Sequence, residues 1–383
     1  AITSIRAYQS NIFAIGKYVN NTAYFNGLID QIRIYDSAIS AENVTTLYEE
    51  IECPAVAVTN AFNTVIYTGN GSTQSVTGTG FKPDLSWVKN RNTAGNNHNL
   101  ADSIRGVNNV IQSNLTAAQY FNSTYQFNSF DTDGITVTDD AAGNWGFNGN
   151  NETYVSWNWK AGGAAVSNTD GTITSQVSAN VDAGFSIVSW TGTEVNATIG
   201  HGIDTPELII IKNTSAVKNW TVYSSSIGAT KYGKLNLTDD FQTASTAFNN
   251  TDPTSSVFSV GSASVANGNG NTMIAYCFHS VPGYSKVGSY VGTGATGNVQ
   301  YIGFEPSFLM IKAAVTPNAT NWWIFDNKRN TTNPLGKGLL PNSSSAEQAQ
   351  GTYLDFNSNG FTWLSGNGEF NDSGNTFIYL AIA

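Results

Sequence analysis

Clustered acidic side chains are the first residues in this sequence that could carry chemistry. Asp131, Asp133, Asp139 and Asp140 lie in one short stretch. Two carboxyl groups about 5 to 10 Å apart can hydrolyse a glycosidic bond, and clustered carboxylates can bind calcium. Asp133 is followed by Gly134 and a strand-like run, which is typical of a turn. We therefore expect a turn here, with a calcium site at these four aspartates as the alternative and no other cofactor.

Tryptophan side chains are the second candidates, because exposed aromatic rings can stack on sugars. Trp322 and Trp323 are adjacent, and Trp220 follows an asparagine as Trp322 does. Neighbouring residues of a strand face opposite sides of the sheet, so we expect one of the adjacent pair to leave the core. The alternative is an aromatic side chain that covers the edge of a β-sandwich, which is the commoner situation.

Nucleophilic catalysis is not expected from this sequence. A catalytic triad needs a histidine beside a serine or cysteine, and the chain has only His98, His201 and His279. No nucleophile-elbow motif accompanies them, and Cys53 and Cys277 lack the spacing of zinc ligands. We expect histidines at the surface or in turns, and a protein that is not an enzyme.

The overall composition excludes several classes of protein. Charged residues make up 11% of the chain, with 17 Lys and Arg against 27 Asp and Glu, a net charge of −10. Such an acidic chain is poorly suited to bind nucleic acid, which requires clustered cations. The hydrophobic content of 40% excludes a disordered chain. No apolar run approaches the length of a membrane span, so we expect no membrane insertion.

Short alternating runs separated by Asn, Gly and Ser clusters dominate the sequence. Gln31–Tyr35 and Val155–Trp159 are examples of such runs, which indicate β-strands joined by turns. Helical spacing occurs only around residues 40–50, with Ser40 as a candidate N-cap. The pattern predicts an all-β protein of tandem, jelly-roll-like β-sandwich domains with one short helix.

An internal repeat organises most of the chain. An aromatic residue is followed 16 positions later by a proline and 6 positions after that by a lysine, three times over: Tyr67, Pro83 and Lys89; Trp190, Pro206 and Lys212; Tyr290, Pro306 and Lys312. The proline can open a strand, where its missing N–H is tolerated. We expect each lysine to mark the solvent-facing end of that strand.

Each copy also closes on a similar strand. Alternate residues of these strands are large and apolar, and period-2 geometry places them on one face of a half-buried strand: Val155, Trp157 and Trp159; Ile274, Tyr276 and Phe278; Ile378, Leu380 and Ile382. The repeat predicts three β-sandwich domains at residues 54–165, 166–283 and 284–383. The chain ends one residue after the last strand, so we expect a natural C-terminus there.

Two further sequence features are the Asn-x-Ser/Thr triplets and the aspartate–arginine pairs. Asn-x-Ser/Thr triplets are numerous, among them Asn114-Leu115-Thr116 and Asn236-Leu237-Thr238, and we attribute them to composition. The pairs Asp102…Arg105 and Asp326…Arg329 have no counterpart near Ser224 in the middle copy. A role for the pair would therefore not be general to the repeat.

The repeated motifs resemble a β-rich repeat of unknown function from structural proteins of tailed phages. The motifs that carry this resemblance occur in order over nearly all of residues 54–383: Tyr67–Ser72, Asp102–Gly106, Val155–Gly163, Gly184–Trp190, Gly200–Gly202, Tyr353–Phe356 and Ser358–Phe361. The resemblance implies a virion protein of a tail fibre, spike or capsid appendage. It also implies a homo-oligomer, commonly a trimer, at the virion surface or outside the cell.

Residues 1–52 resemble a different family. Phe25–Asp36, Ala38–Glu42 and Leu47-Tyr48 are similar to the closing strand and terminal helix of a laminin-G or concanavalin-like jelly roll. Such a domain is several times longer, so we expect its remainder upstream of residue 1. The ligand loops of that family lie mostly outside this fragment, and no ligand residue is carried over.

Three functions remain open at this point. The first is a phage structural protein whose partners are other virion proteins and a glycan of the host surface. The second is a secreted or surface lectin-like protein, for which Trp220, Trp322 and Trp323 are the candidate binding residues. The third is a polysaccharide depolymerase that uses paired aspartates, which has the weakest support.

Overall fold

The computed structural model describes residues 60–121, 127–138, 146–349 and 351–383. The predicted all-β fold of sandwich type is confirmed, because these ranges consist mainly of antiparallel sheets. Two short helices, α1 (Ser245–Phe248) and α2 (Ser264–Asn267), also occur there and were not predicted. Within these ranges, no helix has both the length and the apolar character needed to cross a membrane. The predicted helix near residues 40–50 and the laminin-G-like segment 1–52 lie outside the described residues.

Repeat 1, residues 60–165, contains a large and a small sheet. Its strands are β1 (Phe62–Thr68), β2 (Gln74–Thr77), β3 (Leu85–Asn90), β4 (Asn99–Asp102), β5 (Asn109–Gln112), β6 (Tyr120–Phe121), β7 (Phe127–Asp131), β8 (Gly134–Val137) and β9 (Thr153–Trp159). The large sheet has the order β1-β9-β3-β4-β5-β6, and the small sheet has the order β2-β8-β7. The two sheets enclose an apolar core that includes Val88, Phe127 and Tyr154.

Repeat 2, residues 166–283, follows the same plan with additional strands at its start. Its strands are β10 (Val166–Asn168), β11 (Ser175–Asn180), β12 (Phe185–Thr191), β13 (Ala197–Gly200), β14 (Leu208–Asn213), β15 (Thr221–Ser224), β16 (Lys231–Tyr232), β17 (Gln242–Thr243), β18 (Val257–Val260) and β19 (Thr272–Phe278). The large sheet has the order β10-β11-β12-β19-β14-β15, and β13 pairs with β18 in the small sheet.

Repeat 3, residues 284–383, is the shortest copy in sequence. Its strands are β20 (Ser285–Val291), β21 (Asn298–Tyr301), β22 (Phe308–Val315), β23 (Trp323–Asp326), β24 (Leu354–Asn357), β25 (Gly360–Trp363) and β26 (Thr376–Ile382). The large sheet has the order β20-β26-β22-β23, and the small sheet has the order β21-β25-β24. In every repeat, therefore, the last strand lies between the strand that carries the repeated aromatic residue and the strand that follows the repeated proline.

The strand register is the same in all three copies. Trp159 lies opposite Phe62 and Leu85, and Phe278 and Ile382 occupy the equivalent central positions of the other large sheets. Residues can therefore be matched between copies by their partners across the sheet as well as by sequence spacing.

The large sheets of all three repeats pack around one shared central core. The nine alternating residues predicted to share a face in the closing strands all belong to it, from Val155, Trp157 and Trp159 to Ile378, Leu380 and Ile382. The opposite face of each closing strand is buried too, against the repeat's own small sheet. The expectation of half-buried strands was therefore wrong, because a second layer covers the face that would otherwise meet solvent. The described residues between 60 and 383 belong to one compact unit, and the division into three domains stays a prediction.

The repeated Tyr/Trp/Tyr-Thr/Val-Gly motif has a steric reason. At Gly69, Gly192 and Gly292 a Cβ atom would collide with a backbone carbonyl oxygen of the loop that precedes the closing strand. No other residue type leaves room for that oxygen. The glycine thus allows the loop after the strand that carries the repeated aromatic residue to pack against the loop before the last strand.

The shared core generates a prediction about cooperativity. Phe308 of repeat 3 is buried among Phe62, Trp157 and Trp159 of repeat 1, with ring centroids 5.2, 6.2 and 5.7 Å away. We expect Phe308→Ala to lower the free energy of unfolding by about 3–5 kcal/mol, because the cavity spans two repeats. Denaturant unfolding followed by circular dichroism and by tryptophan fluorescence should give one shared transition at lower denaturant.

Val217→Ala is the matched control, since Val217 is exposed and its truncation should change stability by less than about 0.5 kcal/mol. Two separate transitions in Phe308→Ala, with only one of them shifted, would contradict a shared core.

Candidate functional site

The interfaces between repeats contain many hydrogen bonds and buried charged groups of the described chain. A backbone N–H of each repeat donates to a backbone carbonyl of the next one, at matched positions: Gln119 to Thr214 at 2.8 Å, Phe241 to Ala314 at 3.0 Å, and Glu347 to Arg91 at 2.7 Å. The third of these bonds connects repeat 3 back to repeat 1. The three repeats therefore form a closed ring with three equivalent interfaces.

The three repeated lysines lie at these interfaces. Lys89, Lys212 and Lys312 are each fully buried, so the expectation that they mark solvent-facing strand ends was wrong. The strands that carry them, β3, β14 and β22, bury nearly all their residues, because the small sheet covers one face and the shared core covers the other. The lysines are part of the interior.

Backbone carbonyls of the preceding repeat bind two of these ammonium groups. Lys212 Nζ donates to the Thr116 carbonyl of repeat 1 at 3.1 Å, and Lys312 Nζ donates to the Thr238 carbonyl of repeat 2 at 2.9 Å. Thr116 and Thr238 occupy matched positions in their repeats. Each lysine thus satisfies an acceptor across the interface while it remains buried.

At the interface of repeats 3 and 1, a carboxylate of repeat 3 acts on the buried lysine where the other two interfaces have a backbone carbonyl. Lys89 Nζ donates to the Asn90 carbonyl at 2.6 Å, and the charge of Glu347 from repeat 3 acts on Lys89. Glu347 also accepts hydrogen bonds from Arg91 at 2.9 and 3.0 Å and from Arg329 at 3.1 Å. Burial acts to raise the pKa of Glu347, but these guanidinium groups hold it below its usual value. Glu347 is therefore ionised between two arginines of different repeats.

Burial lowers the pKa of all three lysines to about 8. A charged ammonium group loses hydration when it is buried, which favours the neutral amine. Bonds to carbonyl oxygens favour the charged form instead. The balance places the titration of these interior lysines close to neutral pH.

Trp220 and Trp322 are interface residues as well. Trp220 Nε1 donates to the Gln112 carbonyl of repeat 1 at 2.9 Å, and Trp322 Nε1 donates to the Lys234 carbonyl of repeat 2 at 3.0 Å. Both indoles are at most 1% exposed and belong to the shared core. They join neighbouring repeats and present no ring to solvent.

Trp323, by contrast, packs inside the separate core of repeat 3. Its side chain is 7% exposed, lies parallel to Phe325 at 5.7 Å and donates to Glu369 at 3.0 Å. The expectation that one tryptophan of the adjacent pair would leave the core was wrong. Both faces of strand β23 are covered, so the two neighbours point into two different cores.

His98 takes the place of the tryptophan in repeat 1. It is fully buried, Trp87 Nε1 donates to its Nδ1 at 3.0 Å, and the Leu340 carbonyl of repeat 3 lies beside it. Burial, with the charges of Lys89 and Arg329, lowers its pKa well below the usual value, so the ring is neutral. The expectation of surface or turn histidines was wrong for His98.

The two repeated acid–base pairs also bind across interfaces. Asp102 is bonded to Arg105 at 2.6 Å and accepts the Tyr276 hydroxyl of repeat 2 at 2.8 Å. Burial and the charge of Asp102 raise the pKa of Tyr276 well above its usual value, which keeps the hydroxyl protonated as a donor. Each buried charge therefore has several partners, as buried charges require.

The second pair repeats this arrangement between repeats 3 and 1. Asp326 is bonded to Arg329 at 2.6 Å and accepts Trp157 Nε1 of repeat 1 at 3.0 Å. The Arg329 guanidinium carbon also lies 5.5 Å from the centre of a Trp157 ring. Trp157 and Tyr276 occupy matched positions in their closing strands, so both donors reach the aspartate of the preceding repeat in the ring.

The middle copy lacks the aspartate–arginine pair, and the next repeat in the ring lacks a donor for that aspartate. Ser224 and Ile227 stand where the other copies have aspartate and arginine, and Ile227 packs on the shared core. The residue of repeat 3 matched to Trp157 and Tyr276 is Leu380, which has no hydrogen to donate. At the interface of repeats 2 and 3, therefore, both the aspartate and its donor are replaced.

Two of the four aspartates proposed to bind calcium, Asp131 and Asp133, lie in the described part of the chain. Asp133 accepts the Gly80 amide at 2.6 Å, and Asp131 accepts the hydroxyls of Ser129 and Thr136 at 2.6 and 2.7 Å. Both belong to the β7–β8 hairpin, as the turn hypothesis predicts. Asp139 and Asp140 lie outside the described residues. Among residues that are described, no group of three or more His, Cys, Asp or Glu side chains could hold a metal ion.

The Asn-x-Ser/Thr triplets are a signal for the interfaces, so composition alone does not account for them. The triplets that start at Asn114 and Asn236 occupy matched positions, and Asn114 Oδ1 accepts the His98 amide at 3.0 Å as Asn236 Oδ1 accepts the Trp220 amide at 2.9 Å. Asn342 holds the Trp322 amide in the same way at 2.9 Å. The periodic recurrence of these asparagines could have located the interface segments.

The buried lysines make stability depend on pH. Their pKa of about 8 in the folded chain lies below the usual 10.5, so above pH 8 the unfolded chain holds more protons. Stability therefore increases as pH rises from about 8. We expect the midpoint of thermal unfolding to increase between pH 7.5 and about 9, measured by differential scanning calorimetry.

The variant Lys312→Met should show a smaller increase over the same range, because one titrating group is gone. Burial raises the pKa of Cys277 to about 12, so that single thiol opposes the effect of the three lysines from about pH 8.5 upward without cancelling it below pH 9. A midpoint that stays flat or falls from pH 7.5 to 9 in the parent chain would contradict the assigned lysine environment.

The Asp102–Arg105 pair can be exchanged for the residues of the middle copy. We expect Arg105→Ile alone to cost about 3–5 kcal/mol, because Asp102 would remain buried without its cation. The double variant Asp102→Ser/Arg105→Ile copies Ser224 and Ile227 and should cost only about 1–3 kcal/mol, the loss of an acceptor for Tyr276. Denaturant unfolding measures both; a double variant less stable than the single variant would refute this pairing.

Comparison with known protein families gives a match that covers most of the chain. Residues 57–383, which include all three repeats, match a family described as Domain of unknown function (DUF7483). A search of curated proteins finds no match. The matched region contains every interface described above. On this evidence the chain belongs to the DUF7483 family.

Proposed function

We propose that this protein is a structural subunit of a phage particle, in a tail fibre, tail spike or capsid appendage, where it contributes to host attachment. The observation that carries the proposal is the closed ring of three repeats. Its polar residues at the interfaces bind one another across repeats and hold the ring together. The phage-like repeat motifs are the reason for choosing a virion as its location.

The chemistry of the ring suits a rigid, extracellular building block. Buried lysines, tryptophan N–H groups and aspartate–arginine pairs each bind a partner from a neighbouring repeat, so the repeats cannot separate without exposing several of them. Unpaired buried groups of this kind are costly. Only 11% of residues are charged, and a polar but uncharged surface depends little on ionic strength.

The alternatives lose part of their original support. Trp220, Trp322 and Trp323 are occupied inside cores and interfaces, so a lectin function would need other residues. For a depolymerase, Asp131 and Asp133 serve the hairpin instead of facing each other across a cleft. A homo-oligomer of rings, trimeric or otherwise, stays a prediction.

Mass spectrometry and immunogold electron microscopy of gradient-purified particles test the proposal. We expect peptides from this chain at a constant ratio to the major capsid protein, and gold label on tails or capsid projections. Particles from a phage with an early stop codon in this gene are the control and should lack the label. Purified particles of the parent phage that contain no peptide of this chain would refute the proposal.

A further inference from the structure

One exposed aromatic side chain has no role in the fold. Tyr301, the last residue of β21, is 78% exposed, and Val299 on the same strand is 39% exposed. The small sheet of repeat 3 buries Phe361 and Trp363 on its inner face. Because alternate residues of a strand face opposite sides, Val299 and Tyr301 stand on the outer face.

The neighbours of Tyr301 on this face are small and polar. Across the sheet, Tyr301 is in register with Gly360 and then Asn357, and Val299 is in register with Thr362 and then Asp355. The Asn357 amide donates to the Thr362 hydroxyl at 2.8 Å, which fixes both side chains. Gly360 contributes no side chain to this face, because a Cβ atom there would collide with the Gln300 carbonyl oxygen.

Repeat 1 has the same face without the aromatic ring. There Thr77 is in register with Gly134, and the Ser75 hydroxyl lies 3.2 Å from Thr136, which donates to Asp131 at 2.7 Å. Thr77 is exposed, so the fold accepts a small polar residue at this position. Tyr301 and Val299 in repeat 3 are therefore not required for packing.

We propose that the outer face of the β21-β25-β24 sheet binds a pyranose ring of a neutral glycan, with Tyr301 as the stacking platform. A pyranose has an apolar C–H face that packs on an aromatic ring, and its hydroxyl groups can bond to Asn357, Thr362 and Asp355. These side chains include one carboxylate and no cation, which suits an uncharged polyhydroxyl ligand better than an anionic one.

A second copy of the chain is the competing occupant of this face. Strand β21 is an edge strand of four residues, and edge strands can pair with another chain. Stable protein interfaces generally bury more than about 1,000 Å² in total. A strand of four residues with two apolar side chains would bury much less area than that. The glycan is therefore the occupant that we infer.

The proposal rests on host attachment as the function and names its ligand class. Saturation-transfer difference NMR on the full chain tests it, with the methyl glycosides of glucose, galactose and N-acetylglucosamine as probes. We expect transfer to the ring protons of at least one glycoside, and an affinity about tenfold weaker in Tyr301→Thr. That variant copies the residue of repeat 1, so its thermal midpoint should match that of the parent chain.

Thr77→Ala, at the matched position of repeat 1, is the control and should leave sugar binding unchanged. The inference is overturned if no glycoside receives saturation, if Tyr301→Thr binds as the parent does, or if Tyr301→Thr instead abolishes a dimer seen by light scattering. These outcomes are independent of whether the protein is found in purified particles, so a failure here is distinguishable from a failure of the virion proposal.

Discussion

The central strands of the large sheets bury both of their faces, and the arrangement of the interfaces follows from that constraint. One face covers the repeat's own small sheet, and the other packs against the large sheets of two neighbours. A charged or amphipathic side chain on a strand without a solvent-exposed face cannot reach water. Lys89, Lys212 and Lys312 are therefore interior groups, and each needs acceptors inside the protein.

Matched interfaces explain why the repeats differ where they do. An aspartate occurs in a repeat where the next one in the ring offers a donor, as Asp102 does for Tyr276 and Asp326 for Trp157. Where the next repeat offers Leu380, the aspartate is absent. The ring thus behaves like a homotrimer whose three interfaces have diverged within a single chain, because a covalently linked copy can change one interface without changing the other two.

Much of the fold could be predicted from the sequence, but little of the interfaces could. Alternation in the closing strands identifies the face that meets the central core, since period-2 geometry is local. The burial of Lys312 and Trp322 depends on segments of repeat 2 that are about 80 residues away in sequence, so no local pattern predicts it. Tyr301 could not be recognised as exposed for the same reason, because the alternation of β21 does not reveal which face is covered.

Hydrogen exchange at three matched backbone amides tests the closed ring most directly. The amides of Gln119, Phe241 and Glu347 each bond to the next repeat, so exchange measured by mass spectrometry or NMR should show all three protected to a similar degree. An open chain of repeats would retain the first two bonds and lose the third. Rapid exchange at Glu347 beside slow exchange at Gln119 and Phe241 would contradict the closed ring.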